Sequence, residues 1–258
     1  MNIIFIVNLK EDKKPNRTDP YKYSINSWKH WASKNNAEVF TLTERVYPEE
    51  YMKANWHKSY ALTLLEANNV NYDQVCIVDA DTIVHPDCPD FFKESEGKFC
   101  AVMNDGCYEW VTRSIKKYGD YLWPEINIKP WEYFNSGFII VNKKHKDFFD
   151  KVHKFYENNV DKFHHAQNTF KVGNDQTPLN YLTKHFNVDT KILPNCYNLQ
   201  DIFRKNLLHI PGHSWFPDEL VFLNAGWVYH FNAIPQNSRH AEYWIERTYK
   251  HLYNDNIS

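Results

Sequence analysis

Two carboxylates two residues apart, Asp79 and Asp81, close a run of four apolar residues at 75–78. Acids so placed at the end of a strand can share one divalent cation, whose hard charge prefers oxygen ligands. Such a cation can bridge a diphosphate and neutralise the charge that develops on it as it leaves. Solvated acids capping the next element would give the same letters. A second constellation is Gly173-Asn174-Asp175-Gln176-Thr177-Pro178-Leu179-Asn180. Its Asp175 is either a site carboxylate or the N-cap of a helix beginning near Pro178, a residue tolerated in a first turn. A third is Trp227-Val228-Tyr229-His230-Phe231, where His230 reads as a metal ligand or as a satisfied core histidine. Phe134-Asn135-Ser136-Gly137 precedes another apolar run and by itself reads as a turn.

These residues need a frame, and the apolar spacing supplies one. Residues 3–7 form a near-continuous apolar run, as expected of a parallel strand covered on both faces. Further strands are expected at 39–42, 74–78, 98–103, 138–141, 190–193 and 228–231. Helices are expected at 24–33, 56–67, 145–158, 178–186 and 239–253, from apolar residues at helical spacing such as Trp56, Tyr60 and Leu64. A long aromatic loop separates the strands at 98–103 and 138–141. Strands alternating with helices predict an α/β fold, a mostly parallel central sheet flanked by helices. Ligands of such sheets bind at the carboxyl ends of the strands, where the acidic pair after Val78 lies. No repeat, low-complexity tract or linker divides the chain, so residues 1–258 are expected to form a single domain.

Composition narrows the partners. The formal net charge of −2 gives no global electrostatic case for nucleic acid or an anionic membrane. Aromatic residues make up 17% of the chain; their rings serve equally as sugar-stacking surfaces and as core material. Five cysteines, with no CxxC pair, fit neither a disulfide scaffold nor a structural zinc site. The apolar stretch near the N-terminus is too short for a signal sequence or a membrane span. A reduced, cytoplasmic protein is therefore expected, in which the sequon Asn16-Arg17-Thr18 carries no glycan.

Taken in order, the motifs resemble the glycogenin-like family of retaining glycosyltransferases with the GT-A fold. In that family a strand ends in DADT, as at Asp79-Ala80-Asp81-Thr82, followed by an apolar pair like Ile83-Val84. A later strand opens with FNSG, as at 134–137. A GDQxxLN segment is matched by 173–180 with Asn174 inserted, and an LPxxYN segment by Leu193-Pro194-Asn195-Cys196-Tyr197-Asn198. A closing strand ends in HF, as at His230-Phe231. Each motif is common alone; the ordered set, spanning residues 58 to 231, is specific. The chain departs from the family after that pair. Ala233 replaces a Gly, and no Lys stands at the phosphate position, where Arg239 could supply the charge.

The resemblance implies a nucleotide-binding half, 1–105, that ends with the DxD motif and the next strand, and an acceptor and catalytic half, 106–258. It implies transfer of a sugar from a nucleotide diphosphate sugar, with UDP the default, to an acceptor hydroxyl. Asp79, Asp81 and His230 would hold Mn²⁺ or Mg²⁺, the nitrogen ligand favouring Mn²⁺. Asp175 and Gln176 would stand beside the reacting anomeric carbon. Val7 and Asn8, at the end of the first strand, would hold the nucleobase. Ala80, Asn104, Asp105, Asn135, Ser136 and Gly137 would contact donor or acceptor. Lys58 would pair with a donor phosphate or a carboxylate at the sugar, although a solvated lysine on an amphipathic helix reads the same way. The aromatic segment 107–133 would be an acceptor platform or packing over the sheet.

Other readings predict different chemistry. An inverting transferase needs a general base, for which Asp105 or Asp175 could serve. A catalytically inactive relative would bind sugar or nucleotide without turnover. A phosphatase with an aspartyl nucleophile also uses DxD, but places it near the start of the chain, which residue 79 does not match.

Overall fold

The structure, a computed structural model, describes residues 1–10, 18–171, 173–208, 219–235 and 240–253. Arg239 and the Asn16-Arg17 pair of the sequon lie outside the described residues.

In chain order the elements are β1 (Asn2–Val7), α1 (Tyr21–Lys34), β2 (Ala37–Leu42), α2 (Ala61–Ala67), β3 (Gln74–Val78), β4 (Thr82–Val84) and β5 (Phe99–Met103). Then follow α3 (Tyr108–Leu122), β6 (Phe134–Asn142), α4 (Lys146–Asn158), α5 (Val160–Phe170), α6 (Gln176–His185), β7 (Thr190–Leu193), β8 (Val228–His230) and α7 (Ala241–Tyr253). Six strands make one sheet in the order β2-β1-β3-β6-β5-β7. β1 is parallel to β2 and β3, and β5 to β7; β6 alone runs antiparallel to both of its neighbours. The fold is α/β, with a mostly parallel central sheet flanked by helices.

Period-two alternation shows why the strand sequences are apolar at every position. Ile3, Phe5, Val75, Ile77, Ile139 and Val141 face one core, with Leu62, Phe149 and Leu182 from the helices packed on that side. Ile4, Ile6, Cys76, Val78, Phe138 and Ile140 face the other, against Trp28 and Trp31 of α1 and Phe91. Trp31 stacks on Phe91 with ring centroids 4.4 Å apart. Burying a side chain of the size of Phe91 contributes roughly 1.5–3 kcal/mol.

A second, two-stranded sheet pairs β4 with β8 antiparallel, and Thr82 lies opposite His230. The Phe231 amide donates to the Asp81 carbonyl at 2.9 Å. This small sheet brings the acidic pair and the distant histidine together. β4 is too short to stand out by periodicity.

The expected loop at 107–133 is largely helix. α3 occupies residues 108–122, with Val111, Ser114, Tyr118 and Gly119 on its buried side. Most of its rings are packing: Trp123 stacks on Tyr181 at 4.8 Å, and Tyr118 and Tyr133 are buried. Trp131, 66% exposed, is the most open of them. α5 was not expected from the sequence, and the closing helix begins at Ala241. Among the described residues no helix is long and apolar enough to cross a membrane.

Candidate active site

β3 delivers the acidic pair to the end of the sheet, and the turn after it is fixed by Thr82. The Thr82 hydroxyl donates to the Asp79 carbonyl at 2.7 Å and accepts from the Trp28 indole at 2.9 Å. The Asp79 amide donates to the Gly137 carbonyl at 3.1 Å, which ties the end of β3 to β6.

The segments 134–137 and 173–180 form one joint. Asn180 on α6 accepts from the Phe134 amide and donates to the Phe134 carbonyl, both at 2.9 Å. Gln176 Oε1 accepts from the Ser136 amide at 3.2 Å. The start of α6 is thereby docked on the start of β6. The four residues 134–137 are strand rather than turn.

Asp175 precedes α6 but its side chain does not cap it. Its carboxylate accepts from Asn55 Nδ2 at 2.6 Å and from the Ser136 hydroxyl at 2.9 Å, and pairs with Lys58 Nζ at 3.0 Å. The helix-cap reading of Asp175 therefore fails on geometry.

Lys58 lies on a short 3-10 segment, Ala54–Tyr60, and is buried rather than solvated. Its ammonium reaches Asp79 Oδ1 at 2.7 Å, the Ser136 carbonyl at 3.1 Å and the Ser136 hydroxyl at 3.3 Å. Burial alone would lower the Lys58 pKa. The Asp175 and Asp79 carboxylates outweigh it and raise the pKa above the ordinary lysine value, so the ammonium keeps its charge.

His230 Nε2 lies 3.2 Å from Asp81 Oδ1 and 3.7 Å from Asp79 Oδ2. Burial would lower its pKa, but Asp81 and Asp79 together raise it. Its other nitrogen, Nδ1, is 3.1 Å from Asn198 Oδ1, so Nδ1–H donates there. Asn198 Nδ2 in turn donates to Asn135 Oδ1 at 3.0 Å, and the same oxygen accepts from the Gly137 amide at 2.8 Å. Gly137 has no room for a side chain, because a Cβ there would lie 2.4 Å from His230 Cε1 and 2.9 Å from Asp79 Oδ2.

The donor set fits a divalent cation. Ligand atoms of Asp79, Asp81 and His230 all lie within 4.8 Å of one another. With Nδ1–H donating to Asn198, Nε2 faces two carboxylates, an arrangement satisfied by a proton on Nε2 or by a cation between the three groups. Three carboxylates (Asp79, Asp81, Asp175) meet one ammonium here, and burial raises the Asp79 pKa against the pull of Lys58 and His230. Two carboxylate oxygens and one imidazole nitrogen fit a divalent cation such as Mn²⁺ or Mg²⁺.

These residues line a cleft of about 760 Å³. Val7, Lys58, Asp79, Ala80, Asp81, Asn135, Ser136, Asp175, Gln176 and His230 all face it. Asn8 and Gly137 lie next to lining residues without lining it themselves. Asn104 and Asp105 are not brought to the cleft. Asn104 is buried, its amide donating to the Tyr133 carbonyl, while Asp105 pairs with Lys205 at 2.5 Å and accepts from Asn195 at 2.6 Å. Sequence reasoning missed Asn55, Asn198, Gln167 and Arg45, which the fold brings to the cleft or its ligands, whereas Trp110 of the expected aromatic platform does line the cleft. Only Asn198 had a signal, as the last residue of the LPxxYN segment.

No protein-family model matches the chain, and no curated protein sequence does. Solved structures do. A glycosyltransferase involved in the glycosylation of the major capsid of PBCV-1 is 10% identical, with a TM-score of 0.58, over 95% of this chain and 99% of that one. The chain has the GT-A type of fold. Mouse xyloside xylosyltransferase 1 in its apo form is also 10% identical, with a TM-score of 0.50 over 92% of this chain and 99% of that one. At such identity the likeness is one of fold, and the narrower glycogenin-like resemblance rests on the sequence motifs. In this GT-A chain the acidic cluster lies at the carboxyl end of β3, where open α/β sheets place their ligands.

Proposed function

We propose that the protein is a metal-dependent, retaining glycosyltransferase that moves a sugar from a nucleotide diphosphate sugar, UDP by default, to an acceptor hydroxyl, with residues 1–258 acting as one domain. The observation that carries the reading is the convergence of Asp79, Asp81 and His230 at the cleft end that also holds Asp175 and Lys58. Bound to that triad, Mn²⁺ or Mg²⁺ would neutralise the charge that develops on the departing diphosphate.

The chain's own residues do the rest. Lys58 separates Asp79 from Asp175 and holds each in place by an ion pair. Asn55 and Ser136 fix the Asp175 carboxylate so that it faces the sugar without reorganising during reaction. A carboxylate there stabilises oxocarbenium character at the anomeric carbon. Val7 lines the same cleft, which supports a base-binding role for the end of β1. Asp105 is occupied by Lys205 and Asn195, which weighs against its serving as the general base of an inverting reaction.

The test is release of nucleoside diphosphate from a panel of nucleotide sugars, with Mn²⁺ or with EDTA. Wild type should release it from one donor only with metal. Asp81→Ala should lose both release and metal-dependent donor binding. Asp175→Asn should keep binding and lose transfer by about 10²–10³-fold. Absence of both release and metal-dependent binding in wild type would defeat the reading.

A further inference from the structure

The wall of the cleft formed by α5 and the start of α6 carries polar atoms that the protein leaves unsatisfied. Gln167 on α5 is 8% exposed, and neither its Oε1 nor its Nε2 has a hydrogen-bond partner. Gln176 uses its Oε1 on the Ser136 amide, while its Nε2 has no partner. Both side chains line the cleft, together with Trp110 and Asp175.

A buried polar group left unpaired costs about 1–3 kcal/mol, and folded proteins contain few of them. The fold does not require an amide at Gln167. The other buried residues of α5 are Phe163 and Ala166, and an apolar side chain would continue that face without penalty. The position carries a folding liability, and a ligand gives a reason for it.

The chemistry of the amide indicates which ligand. A carboxamide presents an acceptor and a donor side by side in one plane. Two adjacent hydroxyls of a sugar ring complement it: one donates to Oε1 while its neighbour accepts from Nε2–H. The half-buried Trp110 in the same lining offers an apolar surface to the C–H face of a ring.

We propose that Gln167, with Nε2 of Gln176, forms a subsite for two adjacent ring hydroxyls and so determines which sugar the protein accepts. Its amide atoms are shielded from solvent, so the subsite requires Gln167 to turn toward the cleft it lines. The ligand class rests on the glycosyltransferase reading above. A site built to bond a hydroxyl discriminates strongly against the analogue lacking it, because its own polar groups are then left unpaired.

The test compares wild type with Gln167→Met, which keeps the volume and removes the amide, and with Gln167→Asn, which withdraws the amide by one methylene. Calorimetry with Mn²⁺ measures affinity for UDP, for the sugar nucleotide that wild type binds best, and for its deoxy analogues. Thermal unfolding is measured alongside. Gln167→Met should unfold at the same or a higher temperature and bind UDP as wild type does. It should lose at least about tenfold in the affinity contributed by the sugar and no longer distinguish one deoxy analogue, and Gln167→Asn should fall between. An unchanged sugar contribution in both variants would overturn the subsite, as would a lowered unfolding temperature with unchanged discrimination. Wild type that binds no nucleotide in the presence of metal would instead defeat the transferase reading, and the subsite with it.

Discussion

On the floor of the cleft Asp175 accepts from Asn55 and Ser136 and pairs with Lys58, whereas on the wall Gln167 keeps both amide atoms without a partner. The two regions are buried to a similar degree and differ in where their hydrogen bonds end. On the floor, charge is organised by the protein before any ligand arrives, which is the arrangement that spares reorganisation during reaction. On the wall, satisfaction is deferred to a ligand. Floor residues are therefore tied to stability and function together, and Gln167 to function alone.

The comparison breaks most visibly at Lys58. Lys58→Met removes the ammonium that separates Asp79 from Asp175 and should destabilise the fold by about 3–5 kcal/mol, because buried charges are left uncompensated. Urea unfolding measures this. A cost within the error of the method would mean that the floor is not held together by its ion pairs. Gln167, by contrast, should tolerate apolar replacement.

A smaller effect is expected one step behind the candidate metal ligands. Asn198→Ala removes the acceptor from His230 Nδ1 and releases Asn135. Loss of such a partner lowers metal affinity about 10–100-fold. Mn²⁺ titration reads this directly, and ¹⁵N chemical shifts of the imidazole report whether Nδ1 has lost its proton to Nε2. Unchanged affinity would remove Asn198 from the support of the site.

The smallest effect sharpens the link between floor and packing. His153 on α4 stacks on Tyr60 at 3.6 Å and lies 2.9 Å from the Ser59 carbonyl, beneath the segment that carries Lys58. Burial lowers its pKa below the ordinary value of 6.5, with the Ser59 carbonyl opposing. Below that pH the unfolded chain takes up a proton that the folded chain resists. Stability should therefore hold above pH 6.5 and decline as the pH falls below it. His145, lowered by burial as well, adds with the same sign. Denaturant midpoints across that range should show a shallower acid limb for His153→Gln than for wild type.

Much of the frame was legible because its central strands are buried on both faces. Runs such as IIFI and VCIV admit few other structures. α3 was read as a loop although Val111, Ile115, Tyr118 and Leu122 fall at helical spacing and pack on the core. Gly119 is required there, since a Cβ would lie 2.6 Å from the Tyr181 hydroxyl oxygen. α5 was hidden by polar residues on a helix with only three buried positions, one of them Gln167 itself. At the site, Asp79, Asp81, Asp175 and His230 could be read from motifs, and the structure gathers them at one cleft. Asn55 and Gln167 could not, because a single amide has no periodicity and gains meaning only from what the fold sets opposite it. Asn104 and Asp105 show the reverse. They follow a correctly expected strand, but their loop turns away from the cleft and is taken up by Lys205 and Asn195.

The pairing of Thr82 with His230 also sets a timetable. During synthesis the strands β1, β2 and β3 leave the ribosome early and can begin to pair, since domains assemble from the end made first. The acidic pair emerges with them but has no nitrogen partner until β8 has been made. A nascent chain therefore carries two carboxylates in search of a third ligand through most of its translation. The candidate metal site closes among the last long-range contacts, and a chain halted before residue 228 would build the large sheet and none of the completed site.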